Sequence, residues 1–228
     1  MDIPAVLVAL QRRARSSGAE PLLTHYDAGG RTELSVATYA NWVAKTANLI
    51  EELGGDSGQV GLPLARLRPG HWMTLIWPLA AWQRESAVSL DADGADLVVV
   101  GPDDPRPVVP GATLACSLHP LGFGLRDLPA GVLDYSTEAL AQPDRAGTLP
   151  SGPNAPAWLD GATVLSHAEV CEVAPVEGRV LVPAGDPLGT LRAAVIAPLL
   201  GGGSAVVVEA TDDAARIEAI RRTERCVE

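Results

Sequence analysis

The C-terminal part of the chain contains the pattern that most restricts its fold. Two apolar runs, GRVLVPAG and SAVVVEA, are typical of buried strands, and a helical pattern lies between them. The residues that bound this helix are Asp186 as its cap, Pro187 at its first position, and Gly201, Gly202 and Gly203 at its end. A further helix is expected from Asp212. This order of strand, helix, strand and helix predicts parallel strands joined by a right-handed crossover.

The N-terminal part alternates in the same way. A helical pattern over residues 2–17 is followed by a predicted hairpin around DAGG and by a second helix over 39–53, whose apolar residues recur every three or four positions. Beyond these lie a strand around VGLPL, a helix through HWMTLIWPLAAWQ, and two strands at SAVSL and DLVVVG. The chain is therefore predicted to adopt an α/β fold, with a mainly parallel sheet and flanking helices.

The domain organisation leaves two alternatives. The 47% of hydrophobic residues are enough for one compact α/β unit over residues 1–228. Alternatively, two lobes, 1–140 and 157–228, are joined by the segment 141–156, which is rich in proline and glycine. Between 101 and 156 we expect short strands connected by long loops, because turn-forming residues interrupt every apolar run there.

Charge and cysteine content exclude several classes of function. A net charge of −11 opposes binding to nucleic acid or to an anionic membrane surface. The densest basic runs are Arg12, Arg13, Arg15 and Arg221, Arg222, Arg225, and both are predicted to be solvated helix faces. Three widely spaced cysteines form neither a disulfide framework nor a zinc motif, so a cytoplasmic location is expected. The sequence contains no recognisable targeting segment, and its longest apolar stretch is interrupted by Arg192 and Pro198, so no membrane span is expected.

The short motifs that contain histidine or serine do not predict a catalytic site. The four histidines, His25, His71, His119 and His167, lie far apart, so a metal site would need distant elements and none is expected. SHAE at 166–169 places a serine beside a histidine, but it also matches a capping box of Ser166 and Glu169 at a helix start. We favour the capping box, because adjacent residues rarely point at each other as a nucleophile and base must.

Several longer segments resemble a known family. LTHYDAGGRTELSVATYANWVAKTANLIEELGGDSGQVGLPL is similar to the opening of the adenylate-forming enzymes, which include acyl-CoA synthetases, adenylation domains and luciferases. TVLSHAEV resembles the strand and helix start that follow the family's phosphate loop, and the C-terminal pattern described above resembles the family's next units. The resemblance implies the fold of the first part of the family's large domain.

The same resemblance implies that the residues with which the family binds ATP phosphates and carries out catalysis are missing. Where the family has a phosphate loop containing Pro-Lys-Gly, only Asp160 and Gly161 separate the two apolar runs, and this pair predicts a two-residue type I′ turn. Lys45, the single lysine, lies inside a predicted helix. The family's later motifs would fall beyond residue 228. We therefore expect no catalytic residues and no cofactor, with Asp160 and Gly161 marking a degenerate phosphate-loop position.

Three functions are compatible with these sequence patterns. The first is a non-catalytic relative that acts as a binding or partner module, with an unknown protein partner or a second copy of the chain. The second is a subunit of a split adenylate-forming enzyme that another chain completes. The third is a protein that binds a nucleotide or an acyl compound in a crevice at the carboxyl ends of the strands, near Gly185 or Gly101.

Overall fold

The computed structural model of the protein describes residues 3–103, 112–211 and 213–227. The helices in these ranges are α1 (Ala5–Ser16), α2 (Val36–Glu52), α3 (Leu64–Leu67), α4 (Trp72–Gln83), α5 (Tyr135–Ala141), α6 (His167–Val170), α7 (Pro187–Leu191), α8 (Ala197–Gly201) and α9 (Ala214–Thr223). The strands are β1 (Pro21–Asp27), β2 (Gly30–Ser35), β3 (Gln59–Gly61), β4 (Ala87–Ser89), β5 (Leu97–Val100), β6 (Ala112–Ala115), β7 (Val132–Asp134), β8 (Pro156–Asp160), β9 (Thr163–Ser166), β10 (Arg179–Pro183) and β11 (Ser204–Val208).

These strands form two sheets. One has the order β10-β11-β1-β2 and the other has the order β7-β6-β5-β3-β4-β8-β9. Of the strands in the described ranges, β2 and β9 alone run antiparallel to their neighbours, each as the second strand of a hairpin. The predicted α/β fold with a mainly parallel sheet and flanking helices is thus confirmed. Each sheet takes strands from both sides of residues 141–156, and the division into one unit or two lobes stays a prediction.

The two longest central helices, α2 and α4, form much of the core. Ser35 caps α2 by accepting a hydrogen bond from the Thr38 N–H at 3.1 Å. Every residue of α4 is buried, which explains its almost uninterrupted apolar sequence. The hydroxyl of Tyr39 donates to the carbonyl of Leu75 at 2.6 Å and so joins the two helices.

Helix α5 is absent from the sequence prediction, which placed only short strands and loops between 101 and 156. Asp134 ends β7 and begins α5, and its carboxylate accepts from the N–H groups of Thr137 and Leu125, each at 2.6 Å. Tyr135 then lies fully buried, with its hydroxyl 2.7 Å from that of Thr46 on α2. A helix of seven residues carries too few periodic positions to be recognised, and it is stabilised mainly by this tertiary packing.

The C-terminal pattern folds as a strand, a helical segment, a strand and a helix. Asp186 accepts from the Gly189 N–H at 2.7 Å, and Pro187 is the first residue of α7. A π-helical turn, Arg192–Ile196, connects α7 to α8. Gly202 ends α8 in the left-handed region with φ of 88°. Asp212 lies outside the described residues, and α9 is capped by Asp213.

Arg13 corrects the prediction that the first basic run is a solvated face. Its side chain is only 6% exposed and donates to the carbonyls of Pro198 and Gly203, both at 2.9 Å. Gly203 lies just after α8, and the Pro198 carbonyl also accepts from the N–H of Gly202, which ends the helix. Arg12 and Arg15 are exposed, as the pattern predicts. Among the described residues, the longest apolar helices are too short to cross a bilayer.

Candidate functional site

The carboxyl ends of the parallel strands meet at one edge of the seven-stranded sheet. Strands β3, β4, β5, β6 and β8 all run in the same direction. After them the chain continues into α3, the segment from Leu90, the bend at Gly101, the loop before Leu118, and the turn after Asp160. In open α/β sheets, ligands bind at this edge.

A crevice of about 500 Å³ opens there between α3 and the ends of β5 and β6. Its walls include Leu64, Leu67, Arg68, Val100, Gly101 and Leu118. Gly101 is one of the two positions at which the sequence suggests a crevice. Gly185, the other, follows β10 in the four-stranded sheet, where its N–H donates to the Thr190 hydroxyl at 3.0 Å.

Arg68, the one arginine among the described residues that line this crevice, is already paired with carboxylates. Arg68 donates to Asp27 Oδ2 at 2.9 Å and to Glu209 Oε2 at 2.7 Å. Glu209 also accepts from the Gly70 N–H at 2.8 Å. Burial alone would raise the pKa of Glu209, but its contacts with His25, Arg68 and Gly70 lower it to about 2. The crevice therefore borders a neutralised ion-pair network rather than a free cation.

His25 and His71 meet beside this network, although they are 46 positions apart in the sequence. Ligand atoms of His25, Asp27 and His71 all lie within 4.8 Å of one another. His71 Nδ1, however, accepts from the Met73 N–H at 3.2 Å, so Nε2 carries the proton and faces the Leu118 carbonyl at 3.1 Å. Burial, and secondarily His25, lower the pKa of His71 to about 3.

This bonding pattern opposes metal binding at the cluster. Both ring nitrogens of His71 are engaged, so neither offers a free lone pair. The carboxylate of Asp27 is held by Arg68 and by the Gly29 N–H at 2.7 Å. A cation would also face the guanidinium of Arg68. The cluster acts as a structural connection between β1, the start of α4 and the residue after β11.

The hairpin of β8 and β9 differs from its prediction by one position. Asp160 pairs with Thr163, so Gly161 and Ala162 are the loop residues. Gly161 has φ of 56°, whereas Ala162 is not among the residues with positive φ. This combination is typical of a type II′ turn, and the predicted type I′ turn around Asp160 and Gly161 is wrong. The buried side chain of Trp158 fixes the register, because a shift by one residue would expose it.

Asp160 is connected to the wall of the crevice through α3. Arg66 on α3 donates to Asp160 Oδ1 at 2.8 Å and to Asp91 Oδ1 at 3.1 Å. The same short helix provides Leu64 and Leu67 to the crevice. The turn after β8 and the crevice therefore share one supporting element.

The segment after the hairpin begins with a capping box. Ser166 Oγ accepts from the Glu169 N–H at 3.3 Å, while Glu169 Oε2 accepts from the Ser166 N–H at 2.8 Å. The hydrogen bond from the Ser166 backbone, and that from its hydroxyl, lower the pKa of Glu169. Both groups of Ser166 are thus engaged with Glu169, and its hydroxyl is not directed at His167.

The hydrogen-bond partner of His167 is Ser151, which the SHAE motif does not indicate. Ser151 Oγ lies 3.1 Å from His167 Nε2, and both residues are buried. Among the described residues, His167 Nδ1 has no hydrogen-bond partner, so no third group orients the ring. Burial lowers the pKa of His167 to about 4, which makes it a weak base. The pair is therefore a packing contact beneath α6, and no local sequence signal connects residues 16 positions apart.

Comparisons with known proteins agree with this architecture. No family model matches the chain. It is 33% identical over 159 residues to a Mycobacterium tuberculosis protein named "TIGR03089 family protein". The aligned region covers 64% of each of the two chains. Among solved structures, the Brucella canis acyl-CoA synthetase matches with a TM-score of 0.72 and 16% identity over 97% of this chain. The N-terminal domain of FACL13 from M. tuberculosis matches with a TM-score of 0.70 and 15% identity, again over 97%.

The matched structures extend well beyond the region shared with this chain. The chain covers 46% of the Brucella enzyme and 61% of the FACL13 chain, as well as 64% of the M. tuberculosis relative. Its fold is that of the N-terminal part of acyl-CoA synthetases, which confirms the resemblance at the level of the fold.

Proposed function

We propose that this protein is a non-catalytic relative of the acyl-CoA synthetases that acts as a binding or partner module. The observation that carries the proposal is the two-residue turn of Gly161 and Ala162. The resemblance implies a phosphate loop at this position. A phosphate site needs several N–H groups that converge on the anion, and a two-residue turn is too short to provide them.

Electrostatics at the same edge support the proposal. Asp91 and Asp160 lie on either side of Arg66, and Asp103 borders the crevice. Lys45 does not contribute, because its ammonium group contacts the Gln142 carbonyl at 2.6 Å and Asp144 Oδ1 at 2.8 Å. A triphosphate at this edge would therefore meet carboxylates and no unpaired lysine.

The alternatives differ in what they require of other molecules. A split enzyme requires a second chain that supplies the phosphate site, and an oligomer requires a second copy that covers this face. The crevice at Gly101 specifically favours a small-molecule binding role as the second candidate function. We place the protein in the cytoplasm within this proposal, because all three cysteines, Cys116, Cys171 and Cys226, are free.

Pyrophosphate exchange tests the proposal. Purified protein, incubated with ATP, magnesium and a panel of carboxylic acids, is expected to show no carboxylate-dependent exchange. ATP is also expected to leave the thermal midpoint unchanged, because a ligand that does not bind the native state cannot stabilise it. Exchange above the blank by the chain alone would overturn the proposal.

The variant D160N separates a missing loop from simple charge repulsion. It removes one carboxylate from the edge and leaves the two-residue turn intact. If ATP does not bind because the N–H groups of a phosphate loop are missing, it leaves the thermal midpoint of D160N unchanged as well. If ATP stabilises D160N, a phosphate site is present and only masked by charge. Copurification of a chain that restores exchange would favour the split enzyme instead.

A further inference from the structure

We propose that the crevice at Gly101 binds an uncharged ligand through an aliphatic chain. The inference deepens the proposed function and rests on it, since it assigns a ligand class to an edge that does not hold ATP. At about 500 Å³, the crevice has the size of a site for a small organic molecule.

The walls of the crevice are largely aliphatic. Leu64 is buried at 1% exposure, whereas Leu67, one turn of helix along, is 75% exposed. Val100 contributes from the end of β5, and Leu118 from the loop after the neighbouring strand β6. A leucine left this exposed within a concave surface gains about 25 cal/mol for each square ångström that a ligand removes from water. The surface therefore favours an aliphatic group.

The charges beside the crevice disfavour an anionic ligand. The guanidinium of Arg68 is already bound by Asp27 and Glu209, so it offers little net positive charge. Asp103 adds a further carboxylate to the wall. Among the described residues of the wall, an anion would find no unpaired cation to offset its lost hydration, which costs free energy. The ligand is therefore neutral where it enters the crevice.

Gly101 keeps the crevice open. Within the part of the chain that the structure describes, a Cβ atom added at Gly101 would lie within 4 Å of Leu64 Cδ1 alone, at 3.3 Å. The backbone φ of Gly101 is not in the left-handed region, so a larger residue is accommodated without backbone strain. The variant G101V would therefore occupy ligand space and displace the Leu64 side chain by a few tenths of an ångström.

Calorimetric titration with 1-octanol and with octanoate tests the ligand class. The wild-type chain is expected to bind 1-octanol saturably and to bind octanoate at least about tenfold more weakly, because only the head group differs. If 1-octanol shows no saturable binding up to its solubility limit, or if octanoate binds equally well, the inference is wrong.

Two variants and two controls locate the site. G101V is expected to weaken 1-octanol binding about tenfold, because valine occupies ligand space, and L67Q about threefold, because it removes apolar contact area. The matched controls are G152V, where an added Cβ meets nothing within 4 Å, and L121Q, which alters a leucine that is 73% exposed outside the crevice. Equal binding by G101V and L67Q would place the site elsewhere and overturn the inference. L67Q changes an exposed residue and so keeps the test valid if G101V folds poorly.

The two proposals fail in different ways. Carboxylate-dependent pyrophosphate exchange would overturn the proposed function even if 1-octanol binds. Absence of 1-octanol binding, with no exchange activity, would overturn only the ligand assignment.

Discussion

Individual residues in this protein are often fixed by partners that lie far away in the sequence. His167 illustrates the point: its neighbour Ser166 belongs to the capping box, while the imidazole ring contacts Ser151 and packs edge-on against Trp82 at 5.5 Å between ring centroids. A neutral ring fits this environment. Protonation would place an uncompensated charge in it, and this has a measurable consequence for stability.

We predict that His167 makes the protein less stable in acid. Its pKa is lowered from 6.5 to about 4 by burial, so the unfolded chain binds a proton at a higher pH than the folded chain. The contribution of the neutral His167 side chain to the free energy of unfolding is fully present above pH 6.5 and is lost as the pH falls towards 4. The loss is about 3 kcal/mol when the pH reaches 4, on the basis of about 1.4 kcal/mol per pKa unit.

Urea unfolding of the wild type and H167Q between pH 7.5 and 4.5 measures this effect. The free energies of unfolding should converge as the pH falls, because glutamine does not titrate. A constant difference across this range would contradict the prediction. His71, with its pKa lowered to about 3, contributes over an overlapping pH range but is present in both proteins, so their difference reports His167.

Single side chains also hold whole elements of this fold together. Helix α1 is attached to the C-terminal end of α8 by Arg13, which donates to the carbonyls of Pro198 and Gly203. Arg12, its neighbour, is exposed and provides a natural comparison. The sequence pattern treats these arginines alike, but the structure does not.

We predict that R13M destabilises the protein by about 2 kcal/mol, because two buried carbonyls lose a charged donor. R12M is expected to change the free energy of unfolding by less than about 0.5 kcal/mol, as is usual for exposed positions. Chemical denaturation of both variants at neutral pH compares them directly. Equal effects of the two substitutions would show that Arg13 contributes through its aliphatic stem alone.

For the whole molecule, the arrangement of strands in the two sheets affects how cooperatively the protein unfolds. The four-stranded sheet joins β1 and β2 to β10 and β11, and the seven-stranded sheet joins β3 to β7 with β8 and β9. Neither sheet is complete on one side of residues 141–156. If the chain consisted of two lobes, each lobe would have to fold without some of the strands that complete its sheet.

We predict that thermal unfolding is a single cooperative transition, as expected for one compact unit. Far-UV circular dichroism and tryptophan fluorescence should give the same midpoint, because Trp77, Trp82 and Trp158 belong to the core beside the larger sheet. The calorimetric and van't Hoff enthalpies should also agree. Two separate transitions would favour lobes 1–140 and 157–228.

What the sequence determines by itself is local. Asp186 and Pro187, the glycines that end α8, and the Ser166–Glu169 capping box act within a few residues, so spacing alone places them. Apolar periodicity likewise specifies most of the strands and long helices. These signals determine the order of elements and hence the fold class.

Tertiary structure decides what depends on contacts between distant residues. Helix α5, the burial of Arg13, the Ser151–His167 contact and the register of the Gly161–Ala162 turn all depend on packing between separated segments. The crevice is assembled in the same way, from α3, the end of β5 and the loop after β6. The physical reason is that periodicity and capping report on neighbours along the chain, whereas burial, charge pairing and concave surfaces arise only when distant segments meet.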